Sequence, residues 1–397
     1  MIYLGIIIGV LLSVRHSIFL YGFCNNLKKL NQLKKRRFSI KKNRYIVLVP
    51  ILKENASIIK GFIDHHLDAL NKYDINIYFI TTEKEGVGKN STYNTTKLLL
   101  DELKSKSIHL IHSMSKHGFK GQQINFAIDS IKPDSDEIIG IYDIDSRPDL
   151  RVYKYLEREL EEDCVYQQYS IYSNKLKSRS FYSKLGAHYQ TIWSIFFEAG
   201  FSIRQKEKKK LKYLVGHGLF IQMATLEKLD FFESSAIAED LLLGYKCSIS
   251  NIKFQPIPYF DYSEFANNYQ TFYLQSGRWF AGEFELFKKI KGYRWLKTKR
   301  ALTLMIWPLE PIINIFLLII SFFDPFVFFL FLINLSLLIV LSFMTNKEIG
   351  FYKDHGLQNT LLIILFPLWT FLRGLGAINY LTIKIFGREY HYYKTEK

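Results

Sequence analysis

A chain of 397 residues is long enough for one large domain or two modest ones. Hydrophobic residues make up 48% of it, aromatic residues 16%, and the formal charge is +16; the apolar residues form long runs at the two ends, and the basic excess flanks those runs, which excludes a nucleic-acid-binding protein. Cys24, Cys164 and Cys247 stand far apart, which excludes a disulfide framework and a cysteine-based zinc site.

Ile2 to Phe23 reads as a first membrane anchor (1–23), because it has neither the basic start nor the small-residue cleavage site of a removed signal peptide. Arg15 and His16 interrupt it, so Arg15 either snorkels or the segment lies in the interface. A basic linker (24–44) follows, in which Lys28, Lys29, Lys34, Lys35, Arg36, Arg37, Lys41, Lys42 and Arg44 occur without one acid. Such flanking charge marks the cytoplasmic side, and it puts the N-terminus outside and the middle of the chain in the cytoplasm.

From 45 to 270 the pattern alternates between strand and helix. Tyr45 to Pro50 is a short buried strand, Ala56 to Leu70 a helix, Ile75 to Thr81 a strand, and Tyr93 to Leu103 a helix. His109 to His112 is a third strand, Gln122 to Ile131 a helix, and Glu137 to Tyr142 a fourth strand. This alternation predicts an α/β domain with a largely parallel sheet, which binds ligands beyond the carboxyl ends of its strands. Thr271 to Leu296, within a segment 271–300, is amphipathic, aromatic and basic, as expected of a helix lying along a membrane surface. Apolar runs at Leu302–Phe322, Pro325–Phe343 and Thr360–Phe386 (301–386) suit membrane helices, the last broken by Pro367, Arg373, Gly374 and Gly376. A basic tail (387–397) would end outside if each run spans once, against the positive-inside expectation, so the last run is expected to bend back at Arg373–Gly376 or to end in the interface.

Three short patterns carry the chemistry. Asp143 and Asp145, one residue apart on the turn leaving a strand, suit a shared Mg²⁺ or Mn²⁺ that takes its remaining ligands from substrate phosphates. The same pair also suits a solvated turn. Glu239 and Asp240 open an apolar helix, where acids serve either as partners of the helix dipole or, for Asp240, as a general base. Gln275, Arg278 and Trp279 share one helix face, giving an amide, a phosphate-seeking guanidinium and a flat indole, or simply a headgroup-level anchor. Pro50, Glu54, the Lys120-Gly121 pair and the loop Gly216-His217-Gly218 are lesser candidates. The run Arg204 to Lys212 is a basic loop, solvated or facing anionic groups.

In this order, Val49-Pro50 with Glu54, Lys120-Gly121 leading to Asn125, Asp143-x-Asp145, Gly216-His217-Gly218, Glu239-Asp240 and Gln275-x-x-Arg278-Trp279 resemble the membrane-bound branch of glycosyltransferase family 2, which includes cellulose, chitin and hyaluronan synthases and ceramide glucosyltransferases. The tail Tyr393 to Lys397 is similar to the basic, threonine-containing endings of many members. The resemblance implies a GT-A-like nucleotide-diphospho-sugar transferase domain with N- and C-terminal transmembrane helices, and an inverting reaction. It implies a metal at Asp143 and Asp145, donor contacts from Pro50, Glu54, Glu83, Lys120, Asp143, Gln275 and Arg278, and acceptor contacts from Gly216, His217, Gly218 and Trp279. Asp240, beside Glu239, is the implied catalytic base. Two positions depart from the pattern: Ala238 stands where many members have Thr or Ser, and Glu83 near the place of an Asp that contacts the nucleotide base.

A UDP-sugar, the commonest donor of that branch, and a growing capsular or exopolysaccharide chain are the expected substrates. A single addition to a lipid, as in ceramide glucosyltransferases, is the alternative. With so few apolar runs, export of a polymer would need an oligomer or another protein. The expected location is integral to the cell membrane, with the catalytic domain cytoplasmic.

Overall fold

The computed structural model describes residues 1–34, 42–86, 88, 91–172, 180–204, 212–291, 294–349 and 356–388. Part of the basic linker, the greater part of the Arg204–Lys212 run and the tail from Tyr393 to Lys397 lie outside the described residues. The chain begins with α1 (Ile2–Leu33), then alternates β1 (Arg44–Pro50), α2 (Ala56–Lys72), β2 (Asp74–Thr82), α3 (Thr92–Leu103), β3 (Ile108–Ser113), α4 (Lys120–Ile131) and β4 (Ile138–Ile141). A two-residue strand β5 (Arg147–Pro148), α5 (Arg151–Glu159) and β6 (Cys164–Ile171) follow. Next come α6 (Phe181–Trp193), α7 (Gly200–Arg204), β7 (Leu219–Gln222), α8 (Met223–Lys228), α9 (Glu239–Ile249) and β8 (Lys253–Tyr262). The C-terminal part holds α10 (Tyr269–Lys289), α11 (Arg294–Ser321), α12 (Pro325–Ile349), α13 (Gly356–Leu365), α14 (Trp369–Leu372) and α15 (Leu375–Ile385).

Two compact units result. One comprises Lys29–Ser170 and Phe201–Ser263; the other comprises Met1–Lys28, Ile171–Gly200 and Glu264–Lys397. Ile171–Gly200, which falls inside the 45–270 stretch, thus belongs with the chain ends.

The first unit is built on one sheet of order β3-β2-β1-β4-β7-β6-β8-β5. β1 pairs in parallel with β2 and β4, and β2 with β3, but β7 runs antiparallel to β4 and β6, and β5 antiparallel to β8. The sheet is therefore mixed rather than largely parallel, since β7 enters it antiparallel to both of its neighbours. Alternation along β1 sends its side chains to two cores. Tyr45, Val47 and Val49 pack with Ile59, Phe62, Val152 and Leu156 from α2 and α5. Ile46 and Leu48 pack with Ile124, Ala127, Leu226 and Cys247 from α4, α8 and α9. With both faces covered, the carboxyl ends of the parallel strands are where backbone and side chains are left to meet ligand.

The second unit holds the apolar helices. Four stretches among the described residues are long and apolar enough to cross a membrane: Ile2–Leu33, Arg300–Ser321, Pro325–Ile349 and Thr360–Ile385. The last is broken, as expected, by a 3₁₀ turn at Phe366–Leu368 and again at Arg373–Gly374. The single helix expected over 271–296 is instead two, since α10 ends at Lys289 and α11 begins at Arg294. Arg15 and His16 differ from expectation too. Arg15 Nη1 donates to Glu310 Oε1 at 2.7 Å, and His16 Nδ1 lies 2.9 Å from Asn334 Oδ1. A partner inside the unit replaces the solvent or headgroup that snorkelling would seek.

Candidate active site

The parallel register brings the ends of β1, β2 and β4 to one edge of the sheet. Pro50 closes β1, where its missing N–H costs no ladder bond, and Glu83 follows β2. Beyond β4, Tyr142 is fully buried and the chain turns, with the Ser146 N–H donating to the Asp143 carbonyl at 3.0 Å. Asp145 is 4% exposed, whereas the Asp143 side chain is 37% exposed.

Lys120, the first residue of α4, ties this turn to two others. Its Nζ donates to Asp143 Oδ1 and to the Gly216 carbonyl, each at 2.6 Å. Burial alone would lower its pKa, but Asp143, then Glu239, and more weakly Asp240 outweigh that and hold the ammonium above its ordinary value. Gly216 is the floor of the cluster. A β-carbon placed there would stand 3.1 Å from Asp240 Oδ2, 3.5 Å from Lys120 Nζ and 3.6 Å from Glu239 Oε1. Lys120, Asp143, Gly216, Glu239 and Asp240 therefore converge, although in sequence they span more than a hundred residues.

Glu239 and Asp240 open α9, and Asp240 Oδ1 accepts from the Leu241 N–H at 2.8 Å. Burial raises the Asp240 pKa above the usual carboxylate value; the Leu241 N–H, Lys120 and His217 oppose the rise without cancelling it. Gly218 has φ +65°, and a β-carbon there would meet the Gln168 carbonyl at 2.6 Å, so this loop requires glycine.

His217 leads to a group that inspection of the sequence missed. Its Nδ1 lies 3.2 Å from Oδ2 of Asp261, which is fully buried on β8 and also accepts from Ser146 Oγ at 2.8 Å and Ser263 Oγ at 2.9 Å. Burial would lower the His217 pKa, but Asp261 and then Asp143 overcome this and raise it. Asp261 Oδ1 is buried with no hydrogen-bond partner among the described residues. The only signal in the sequence was an acid inside the strand-like run Lys253–Tyr262, which no motif marks.

Beyond the ends of β1 and β2, the Glu54 N–H donates to Thr92 Oγ1 at 2.9 Å, and Thr92 Oγ1 donates to Glu85 Oε1 at 2.8 Å. Glu83 Oε1 is 3.0 Å from His112 Nε2, while His112 Nδ1 is 2.8 Å from Thr81 Oγ1 and the His112 ring lies 4.5 Å from that of Tyr93. Glu83 is thus part of a small polar and aromatic group at the end of β2 and β3, to which sequence reading had added neither His112 nor Tyr93.

Gln275, Arg278 and Trp279 lie on α10, in the other unit. All three are partly exposed, while Ser276, Gly277 and Phe280 between them are buried, so the face expected from helical spacing exists.

Among the described residues no three His, Cys, Asp or Glu side chains form a metal-holding group. Asp143 and Asp145 offer hard oxygen ligands and no soft ones, in too small a number to enclose an ion. That donor set fits a Mg²⁺ or Mn²⁺ that completes its shell with water and phosphate oxygens.

Three comparisons bear on these features. The model of glycosyl transferase family group 2 matches residues 138–370. A probable glycosyltransferase of Sulfolobus acidocaldarius is 26% identical over 254 residues, which cover 62% of this chain and 51% of that protein; the chain spans about half the length of this curated relative. A solved mannosyltransferase from Pyrobaculum calidifontis, in complex with GDP-Man and Mn²⁺, superposes with a TM-score of 0.54 at 10% identity, covering 97% of this chain and 100% of that one. At that identity the likeness is one of fold, a mixed-sheet GT-A-like architecture. The chain belongs to glycosyl transferase family group 2.

Proposed function

We propose that the protein transfers a sugar, with inversion, from a nucleotide-diphospho-sugar to an acceptor hydroxyl. The observation that carries this reading is the convergence of Asp240, Lys120, Asp143 and Gly216 at the end of the sheet. In the mechanism, Asp240 takes the proton of the acceptor hydroxyl, whose oxygen attacks the anomeric carbon. The bond from that carbon to the diphosphate oxygen breaks, and its electron pair leaves with the nucleoside diphosphate. A divalent cation at Asp143 and Asp145 would supply neutralisation of the charge gathering on the diphosphate. Lys120 adds a fixed positive charge there, aimed before the reaction begins. Asp261 holds His217 on the loop beside Asp240, which suits His217 to orient an acceptor.

Gln275 and Arg278 are assigned to the donor, and Trp279 to the acceptor, on the motif resemblance. The donor is taken to be a UDP-sugar, and the acceptor a growing polysaccharide at the cytoplasmic face of the cell membrane. A second reading, single addition to a lipid, is favoured by the modest set of four candidate spans among the described residues. The GDP-Man bound by the fold neighbour makes GDP-mannose the second donor to try. The test is a screen of labelled UDP- and GDP-sugars with purified protein in membranes, with Mg²⁺ or Mn²⁺, reading nucleoside diphosphate release and product size. A ladder or high polymer supports the polysaccharide reading, and one lipid-soluble product replaces it with the lipid reading. No diphosphate release from any nucleotide-sugar would sink both.

A further inference from the structure

A cavity of about 350 Å³ lies in the sheet-containing unit, between the second half of α2, the length of α5, the end of α1 and Tyr259 of β8. None of the residues of the site described above lines it. α2 starts beside the Pro50–Glu54 loop and reaches the cavity only at Asp68, about 18 Å further along its axis. In volume it falls within the range of small-molecule sites.

Its chemistry is uneven. Lys34, Lys72, Arg151, Lys154 and Arg158 line it, against only two carboxylates, Asp68 and Glu159. Asp149 pairs with Arg151, and Glu157 lies beside Lys42, Lys72, Lys154 and Arg158, yet cations still outnumber acids when both are included. Three tyrosines, Tyr73, Tyr155 and Tyr259, give the wall an aromatic character. The Arg151 guanidinium stands 4.8 Å from the Tyr259 ring centroid, and Lys34 Nζ 5.9 Å from the same ring on the cavity side. The Nε of Arg158 is buried and has no hydrogen-bond partner among the described residues. Burial, and then Arg151, pull the Lys34 ammonium below its ordinary value. An excess of cations over the acids beside them, with a guanidinium nitrogen left unpaired, favours the entry of a further anion.

We propose that this cavity binds a phosphate-bearing ligand, with Arg158, Lys154, Lys72 and Lys34 on the phosphate and the tyrosines against its less polar part. The planar donor fork of arginine and the surrounding ammonium groups suit a tetrahedral oxyanion carrying more than one negative oxygen. Two sources share this chemistry: an anionic phospholipid headgroup and a soluble phosphate ester. The lipid source is suggested by α1, because Leu33, which lines the cavity with the following Lys34, ends the same helix whose earlier part is apolar enough to cross a membrane.

The test is calorimetric titration of the full chain in an uncharged detergent with dihexanoyl-phosphatidylglycerol, dihexanoyl-phosphatidylcholine and inorganic phosphate, each alone. Arg158→Gln and the milder Lys154→Gln, at an exposed position, are titrated alongside, after thermal unfolding shows which of them is folded. Saturable binding of the phosphatidylglycerol, weakened about tenfold in either folded variant, supports the proposal with a lipid source. The same pattern with inorganic phosphate supports it with a soluble source. Absence of saturable binding for both overturns it. So does binding that the variants leave unchanged, or equal binding of the zwitterionic lipid. Sugar transfer enters none of these readouts, so the outcome is independent of the proposed activity.

Discussion

At Asp240, the proposed base, two demands conflict: a base must be ionised to take a proton, and burial resists ionisation. The carboxyl pKa is raised in the folded protein, so ionisation costs more there than in the unfolded chain. For an acid whose folded pKa lies above its unfolded value, stability falls as pH rises from the unfolded value through the folded one, and it stays lower above. Asp240→Asn removes that cost. It should raise the thermal midpoint at neutral pH while lowering transfer by about 10²- to 10⁴-fold. A calorimetric scan beside a turnover assay checks both, and unchanged turnover would remove Asp240 from the mechanism. Lys120 is one of the groups that hold the rise in check. Lys120→Gln should therefore move the acid limb of the kcat/KM profile to higher pH, and an unmoved limb would show that Lys120 does not act on Asp240. These residues were visible in the sequence as separate short motifs, because each keeps a recognisable local pattern. Their convergence was not visible, since it depends on Gly216 having no side chain and on a lysine crossing from α4 to the β7 side. Asp261 was invisible altogether: its importance lies in what surrounds it, and its neighbours Ser146, His217 and Ser263 come from three places in the chain.

Elements were legible where one hydrophobic period ran uninterrupted. β1, α2, β2 and α4 stand within a few residues of where apolar spacing puts them. The sheet after β4 was less so, because two- and four-residue strands such as β5 and β7 carry too few positions to show a period or a direction. α10 shows a further limit. Its apolar residues read equally well as facing lipid or another helix, and the structure packs Ser276, Gly277 and Phe280 inward. At Gly376 on α15, a β-carbon would lie 2.5 Å from the Tyr273 carbonyl and 2.8 Å from the Gly277 nitrogen, so α10 and α15 touch backbone to backbone. Gly376→Leu should destabilise this helix pair by about 1–3 kcal/mol or more. Thermal unfolding in detergent measures it, and a midpoint equal to the wild type's would mean that the two helices do not pack this closely in solution.

Over the whole molecule, the sequence shows a polar α/β middle between apolar ends, and the helices among the described residues that are long and apolar enough to cross a membrane fall at those ends. It does not show that Ile171–Gly200 leaves the middle to join the ends, because that segment is not among the stretches apolar enough to stand out. Within the unit that these ends form, Glu310 is 4% exposed and meets two guanidinium groups, Arg15 at 2.7 Å and Arg373 at 3.2 Å. Glu310→Gln leaves both cations without their countercharge and should cost about 3 kcal/mol or more, read as a lower unfolding temperature in detergent. An unchanged temperature would show that water or headgroups already screen the three charges. The same pair has a consequence in time. Glu310 is made 295 residues after Arg15. At ordinary rates of synthesis that interval is on the order of tens of seconds. Through it Arg15 lacks its countercharge from α11, so a guanidinium in an apolar stretch stays unpaired by Glu310 until synthesis reaches that residue. The ion pair that joins α1 to α11 is therefore a late-forming contact of the fold, timed by the arrival of α11.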